Sequence, residues 1–421
     1  MSRKKKTKNK KSVPQSRSFR TTWLAVPLVI AAVAVFLWHQ ETKVKNEQQA
    51  IAANQQGDLL RNSGRMEDAI PHYQNAIENM PEFAQAWSNL GIAFAARKQF
   101  SKARHYFEKA LELNPNLFEA TIGMALVHDN AGNFIQAEAS YKQALRMRPN
   151  SAEVYYNLAW LYQQEKLYED AVEQYRRAVQ LRSDFLQAWA NLGLAHKQNN
   201  DPGKAIEAYQ QALNISPDEG PVYSRLGVVR MKLADYHGAR EAYQRALKLG
   251  IKNNVIHRDL GVIYIQEGNH SAALSELRIS LELDPNDAET HFQVGKLLSK
   301  QDDNEKALHH LRQAVRLNRD HTGAHYALGR LLVQRGNDFE GQKMMATFQT
   351  LKKYEHKLKA RKRDAQLRPR DAETVYKVGL VHLEYGRRPK AIEAFSQSLN
   401  RNPGFEAAAA KLRDLERETN Q

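Results

Sequence analysis

An all-α fold, built as a stacked array of one helical unit, is what this sequence predicts, and three observations carry it. Alanine recurs every 34 residues without a slip, at Ala69, Ala103, Ala137, Ala171, Ala205, Ala239, Ala273 and Ala307. A bulky series follows four residues behind: Tyr73, Phe107, Tyr141, Tyr175, Tyr209, Tyr243, Leu277 and Leu311. Within one period the apolar residues fall at i, i+3, i+4 and i+7, the spacing of one helix face. A fixed period of this length marks a supersecondary unit that buries its apolar side against the next copy.

The first element in chain order lies outside the period. Net charge is +15, but Arg3, Lys4, Lys5, Lys6, Lys8, Lys10, Lys11, Arg17 and Arg20 fall within residues 1–20 with no acid among them. The remainder is therefore only mildly basic, and a nucleic-acid-binding surface is not expected. Residues 21–39 hold the uncharged run WLAVPLVIAAVAVFLW, bounded by Trp23 and Trp38. With Thr21 and Thr22 it reaches 18 residues, at the short end of the ~17–25 that a spanning helix needs. Tryptophan favours the headgroup region and basic residues are held on the cytoplasmic side. The segment is read as a transmembrane signal anchor. It leaves a cytoplasmic tail at 1–20 and the repeats on the far side, in a bacterium the periplasmic face of the inner membrane. A signal peptide cleaved after Ala32-Val33-Ala34, or a peripheral segment, are the competing readings. Residues 40–49, polar and mixed in charge, read as a linker. The chain has no cysteine, so neither a disulfide framework nor a thiolate metal site is available.

Residues 84–117 show one unit of the array. Trp87, Leu90, Gly91 and Phe94 share a helix face, Lys98 and Gln99 make a short turn, and Ala103, Phe107, Ala110 and Leu111 share a second face. Pro115 ends it, because proline cannot continue a helix interior. The small Gly91 and Ala103 let the two backbones approach, with Trp87 and Phe107 filling the volume beside them.

These residues resemble the signature of the tetratricopeptide repeat, W-x2-L-G-x2-Y followed by A-x3-F and a terminal proline. Residues Trp189, Leu192, Gly193, Ala205, Tyr209, Ala212 and Pro217 repeat the match. Ten units begin at Ala50, Ala84, Phe118, Ala152, Leu186, Gly220, Asn254, Ala288, Thr322 and Ala372, and cover residues 50–405. The resemblance implies a right-handed α-solenoid whose concave groove binds a peptide. Residues 406–421 read as a final capping helix. The period breaks once. The ninth unit runs on from Gly341 to Leu367 with no proline or further glycine, which predicts a single helix about 40 Å long at ~1.5 Å per residue. Its far half is basic: Lys352, Lys353, Lys357, Lys359, Arg361, Lys362 and Arg363. It reads as a solvated helix end or as a docking arm for an acidic partner, lipid headgroups or a second copy.

Helical phase places repeat positions 2, 6, 9 and 13 opposite the packed positions 4, 7, 8 and 11. The resemblance implies that the free face lines the groove. Position 6 carries Asn89, Asn157, Asn191, Arg225 and Asp259; the three asparagines resemble the ladder in O-linked N-acetylglucosamine transferase repeats. Position 9 is apolar from Ile92 to Val262, through Trp160 and Leu194, and turns basic at Lys296 and Arg330. The family's carboxylate clamp needs lysine at position 5 and asparagine at position 9, and pairs such as Tyr156/Trp160 and Arg258/Val262 do not supply it.

No nucleophile elbow, phosphate loop, dinucleotide fingerprint or zinc-protease motif occurs, and no catalytic residue, cofactor or metal is assigned. His257, His291 and His325 stand one repeat apart where tryptophan is typical, too far from one another to share an ion. The function expected is a membrane-anchored scaffold that captures a protein or peptide, for assembly of an envelope or secretion complex. The alternative is a non-catalytic recognition subunit of a glycosyltransferase or peptidoglycan-processing enzyme. A second copy of the chain is a further candidate partner.

Overall fold

The computed structural model describes the backbone of residues 22–419 and the side chains of residues 29–417. Among the described residues every regular element is a helix. They run α1 (Thr22–Asn62), α2 (Met66–Asn79), α3 (Ala84–Ala96), α4 (Phe100–Leu113), α5 (Phe118–Asn130), α6 (Phe134–Met147) and α7 (Ala152–Gln164). Next come α8 (Tyr168–Leu181), α9 (Leu186–Gln198), α10 (Pro202–Ile215), α11 (Gly220–Lys232), α12 (Tyr236–Lys248), α13 (Asn254–Gln266) and α14 (His270–Leu283). The last are α15 (Ala288–Lys300), α16 (Asn304–Leu317), α17 (Thr322–Gln334), α18 (Asp338–Leu367), α19 (Ala372–Glu384), α20 (Arg388–Arg401) and α21 (Glu406–Thr419). Two compact units divide the chain, residues 1–123 and 124–421.

Each predicted pair is present, and the small residues act as expected with one refinement. A Cβ built on Gly91 would meet the Phe107 ring at 2.6 Å, and one on Gly227 the Tyr243 ring at 2.4 Å. Glycine at position 8 thus clears a seat for the aromatic ring of the second helix. In the seventh and eighth repeats the backbones themselves meet there: the same atom on Gly261 and Gly295 would lie 3.3 and 3.2 Å from the Ala273 and Ala307 carbonyl oxygens. The ring is buried, so its hydroxyl needs a partner. Tyr73 donates to Asp58 (3.0 Å) and Tyr243 to Asp259 (2.7 Å). Where Ala159 replaces the glycine, the Tyr175 hydroxyl reaches Gln163 instead (2.9 Å).

The turn inside every pair uses one backbone device. Position 15 lies in the left-handed region in all ten repeats: Gly64, Lys98, Gly132, Lys166, Asn200, Ala234, Gly268, Asp302, Gly336 and Gly386, with φ between 56° and 80°. This αL residue ends the first helix and turns the chain into the second. Only half of these residues are glycine.

Residues 1–20, read as a cytoplasmic tail, lie outside the described residues. The apolar run is helical from Thr22 and continues unbroken to Asn62, so residues 40–49 are helix and not linker. Those residues are mostly Gln, Glu, Lys and Asn with no glycine or proline, so nothing in them breaks the helix. Among the described residues no helix is long and apolar enough to cross a membrane; of the expected span at residues 21–39, the side chains of residues 21–28 lie outside the described residues. The ninth repeat has the expected extension, with α18 counting 30 residues. The capping helix is α21, which buries Ala408 and Leu415 in a cluster with Phe395 and half-buried Tyr376 and Phe405.

The second unit closes on itself. The tenth repeat touches the third and fourth, more than two hundred residues earlier. Lys166 Nζ pairs with Glu393 at 2.8 Å, and the Arg370 guanidinium reaches Glu138 and Asp170, both at 3.3 Å. Asn400 Nδ2 donates to Glu165 Oε1 (3.2 Å), and Arg401 Nη2 to the Glu165 carbonyl (3.3 Å). Arg370 also lies 5.4 Å from the centre of the Tyr162 ring.

Candidate functional site

Within the second unit, three pairs of successive first helices touch, α9 with α11, α13 with α15 and α15 with α17. Their successive second helices have no comparable contact. First helices therefore line the inner side of the curve, where positions 6 and 9 were expected to face a partner.

The position 9 column is the more accessible. Trp160 is 40% and Leu126 39% exposed, while Leu194, Val228 and Val262 are half-buried. Lys296 and Arg330 are exposed, each cation beside an aromatic ring of its own helix: 5.2 Å from the Phe292 centre and 5.8 Å from that of Tyr326. The inner face thus passes from apolar at the fourth repeat to basic at the eighth and ninth.

The position 6 column is not a continuous ladder. In the first unit Asn89 is 2% exposed. Its Nδ2 donates to Asn54 (3.0 Å) and Asp58 (3.2 Å), and its Oδ1 accepts from Arg61 (3.0 Å) and Gln85 (3.2 Å). Both ends of that amide are spent inside the fold. In the second unit Asn157 is half-buried, and Asn191 donates to the Tyr156 hydroxyl at 3.0 Å. Burial raises the pKa of the Tyr156 and Tyr209 hydroxyls, and the nearby Arg225 charge opposes the rise. Asp259 takes the Tyr243 hydroxyl and the Arg258 guanidinium (3.1 Å). These side chains chiefly hold neighbouring helices in register.

The basic arm is packed along one side. Leu351 and Tyr354 are buried, and Leu358 and Ala365 seat against Val375, Val378 and Ala394. Of its cations, Lys357 pairs with Glu384 (2.5 Å) and Arg361 with Asp364 (3.3 Å). Lys352 lies 5.8 Å from the Phe348 ring centre. Lys353, Lys359 and Arg363 are exposed, and Lys362 lines a cavity beside α19.

The histidines replace tryptophan for a reason the spacing did not reveal. Trp87 Nε1 donates to the Pro81 carbonyl (2.8 Å) and Trp189 Nε1 to that of Ser183 (2.9 Å). His291 and His325 place Nε2 at 3.1 and 3.0 Å from the Pro285 and Arg319 carbonyls, again six residues back. Either ring supplies an N–H to the end of the preceding repeat. His291 also meets His310 through their Nδ1 atoms at 2.9 Å, and burial, then His291 and His309, pushes His310 down to about 4. Among the described residues no group of three or more His, Asp or Glu is placed to hold a metal ion.

Comparison with known proteins follows the repeats. A family model described as the cilia and flagella-associated protein 70 C-terminal domain matches residues 117–331, just over half of the chain. Tetratricopeptide-repeat models match residues 84–117 and 57–97. No curated protein matches. Among solved structures, one described as the functional characterisation of pilF from Pseudomonas aeruginosa is 23% identical. It covers 49% of this chain and 94% of its own at a TM-score of 0.44. YrrB, described as a TPR protein with an unusual peptide-binding site, is 22% identical over 43% of this chain and 93% of its own, at 0.36. Yeast Tom70 is 15% identical over 89% of this chain and 96% of its own, at 0.38.

Proposed function

We propose that this chain, which belongs to the tetratricopeptide-repeat family whose cilia and flagella-associated protein 70 C-terminal domain model matches residues 117–331, is a scaffold that captures an extended protein segment on its inner face. One observation carries this reading: Trp160, on the first helix of the fourth repeat, leaves 40% of its surface in water. A large aromatic held at the surface of a rigid array is the kind of group that anchors a partner. The column beyond it sets the character of that partner. Apolar residues would meet Trp160 and Leu194, and acidic residues would follow toward Lys296 and Arg330. Family membership and the lack of any catalytic constellation in the sequence both favour binding without chemistry.

Membrane anchoring is the second part of the proposal. Supporting it, Val29, Ile30, Val33, Val35, Phe36, Leu37 and Trp38 on α1 are all at least half exposed, an apolar surface on every side of the helix. A helix of that kind is stable in lipid and not in water. The basic residues ahead of it support a reading with a cytoplasmic tail and the repeats across the membrane, in a bacterium in the periplasm, where envelope or secretion complexes are assembled.

Trp160→Ala tests the capture site. Partner binding is expected to fall about tenfold or more while the thermal melt stays within a few degrees, since a hot-spot aromatic is worth ~2 kcal/mol or more. A variant that unfolds would make Trp160 a packing residue. Anchoring has a separate test: a chain that begins after Ala34 and is released from membranes by alkaline carbonate would contradict it.

A further inference from the structure

Where the second unit closes on itself, the contact does not fill the space between α18, α19, α20 and the turn that carries Lys166. A cavity of about 530 Å³ remains there. Its floor is apolar, with Leu358, Val375, Val378 and Ala394 among the lining residues. Its polar lining is strongly unbalanced: Lys166, Lys362, Lys390 and Arg401 against the single carboxylate of Glu393.

The pairing leaves positive charge uncancelled. Glu393 is taken by Lys166 at 2.8 Å. Lys390 reaches only Asp320, at 3.5 Å, and Asp320 is already engaged by Arg387. Lys362 makes no ion pair among the described residues. Arg401 donates Nη2 to the Glu165 carbonyl, but its buried Nε and Nη1 have no hydrogen-bond partner. The neighbouring Glu165 carboxylate accepts from Asn400 on one oxygen and offsets part of the Arg401 charge, leaving Lys362 and Lys390 as the uncompensated pair. The titratable groups register this excess. Burial, then Lys166 and Lys390, holds Lys362 below the usual lysine range. Burial, then Lys362 and Lys390, pushes His382 down to about 4. A partly enclosed space with uncompensated cations over an apolar floor favours a ligand that brings a negative charge and an apolar body.

We propose that this cavity is a binding site for a small organic anion with an apolar body. Its charged group would meet Lys362 and Lys390, and its body would lie on Val375, Val378 and Leu358. Because Lys166 belongs to the fourth repeat and the other lining cations to the ninth and tenth, such a ligand would bridge the closure. The site is separate from the inner-face column around Trp160, so it can fail without that reading failing.

The test titrates the full chain in lipid nanodiscs by calorimetry, against empty nanodiscs. The probe is biphenyl-4-carboxylate, with biphenyl-4-carboxamide and inorganic phosphate as controls for charge and apolar body. One carboxylate is expected to bind per chain, with the amide and phosphate each about tenfold weaker or worse. Lys362→Gln should weaken the carboxylate about tenfold and leave the amide unchanged, while Lys362→Arg retains binding; Lys362 makes no ion pair among the described residues, so neither change removes a contact that holds the fold. Failure of the carboxylate to bind, amide or phosphate binding as strong as the carboxylate, or indifference to Lys362→Gln would each overturn the proposal.

Discussion

Exchanging two residues at the same repeat position isolates the backbone device that turns every helix pair. Gly268 and Ala234 both occupy position 15, with φ of 76° and 56°. A Cβ on Gly268 would meet nothing within 4 Å, so Gly268→Ala adds no clash and changes only the backbone term. An L-residue in the left-handed region pays ~1–2 kcal/mol, partly offset by the ~0.4–1 kcal/mol saved when the unfolded chain loses glycine's freedom. The net loss is about 1 kcal/mol. Ala234→Gly runs the same account backwards and should gain about 1 kcal/mol, while Ala234→Asn should fall between the two. Urea unfolding of residues 45–421, followed by circular dichroism, reads both; the pair should move the midpoint in opposite directions with unchanged slope. A Gly268→Ala variant as stable as the parent, or an Ala234→Gly variant less stable, would refute the reasoning.

Gly227→Val places its Cβ 2.4 Å from the buried Tyr243 ring and should cost ~1–3 kcal/mol by overpacking; the same melts report it, and a neutral result would mean that the ring has room to retreat. Acid should loosen the eighth and tenth repeats, where burial pushes His310 and His382 down to about 4. His310 titrates near 4 in the fold against ~6.5 in the unfolded chain. The unfolded state therefore binds more protons between those values, and stability falls as pH drops through that window. His310→Gln should shrink the difference between melts at pH 7.5 and pH 5; an undiminished difference would assign it elsewhere. The closure of the second unit rests on partly exposed ion pairs, each worth ~0.2–1 kcal/mol and screened by salt. With dyes on cysteines introduced at exposed Glu169 and Ser396, energy transfer should fall on moving from about 0.15 to 1 M salt. Arg370→Ala should reproduce the fall at low salt, and salt-independent transfer would show that the closure is held by packing.

The period made all ten helix pairs legible, because the residues that repeat are those that pack: glycine or alanine at position 8 against a large side chain at position 24, a ring in seven repeats and Leu277, Leu311 or Met345 in the others. The break after Gly341 was equally plain, since nothing between it and Leu367 can end a helix. Position 15 was hidden because its conformation is imposed by the turn and not by its residue; lysine, aspartate and alanine occupy it as well as glycine. Residues 40–49 read as linker by their polarity, yet with no glycine or proline their composition suits a helix. The closure had no local signal at all. Lys166 and Glu393 are brought together by a small rotation accumulated over six repeats, which no sequence window contains. The same limit applied to the site. Trp160 was visible as a large residue out of phase with the packed face, but Asn89 was misleading. Its burial depends on Asn54, Asp58 and Arg61, departures from the repeat that happen to surround it.

Capture of a partner at the inner face is tested most directly by site-specific crosslinking. A photoreactive benzoylphenylalanine replaces Trp160 in the full-length chain, or Gln180 on the second helix of the same repeat, in intact cells. Irradiation should give a discrete protein adduct from position 160 and none from position 180, and Lys296→Glu with Arg330→Glu should abolish it. No adduct at 160, equal adducts at both positions, or an adduct indifferent to the two charge reversals would contradict capture along this face.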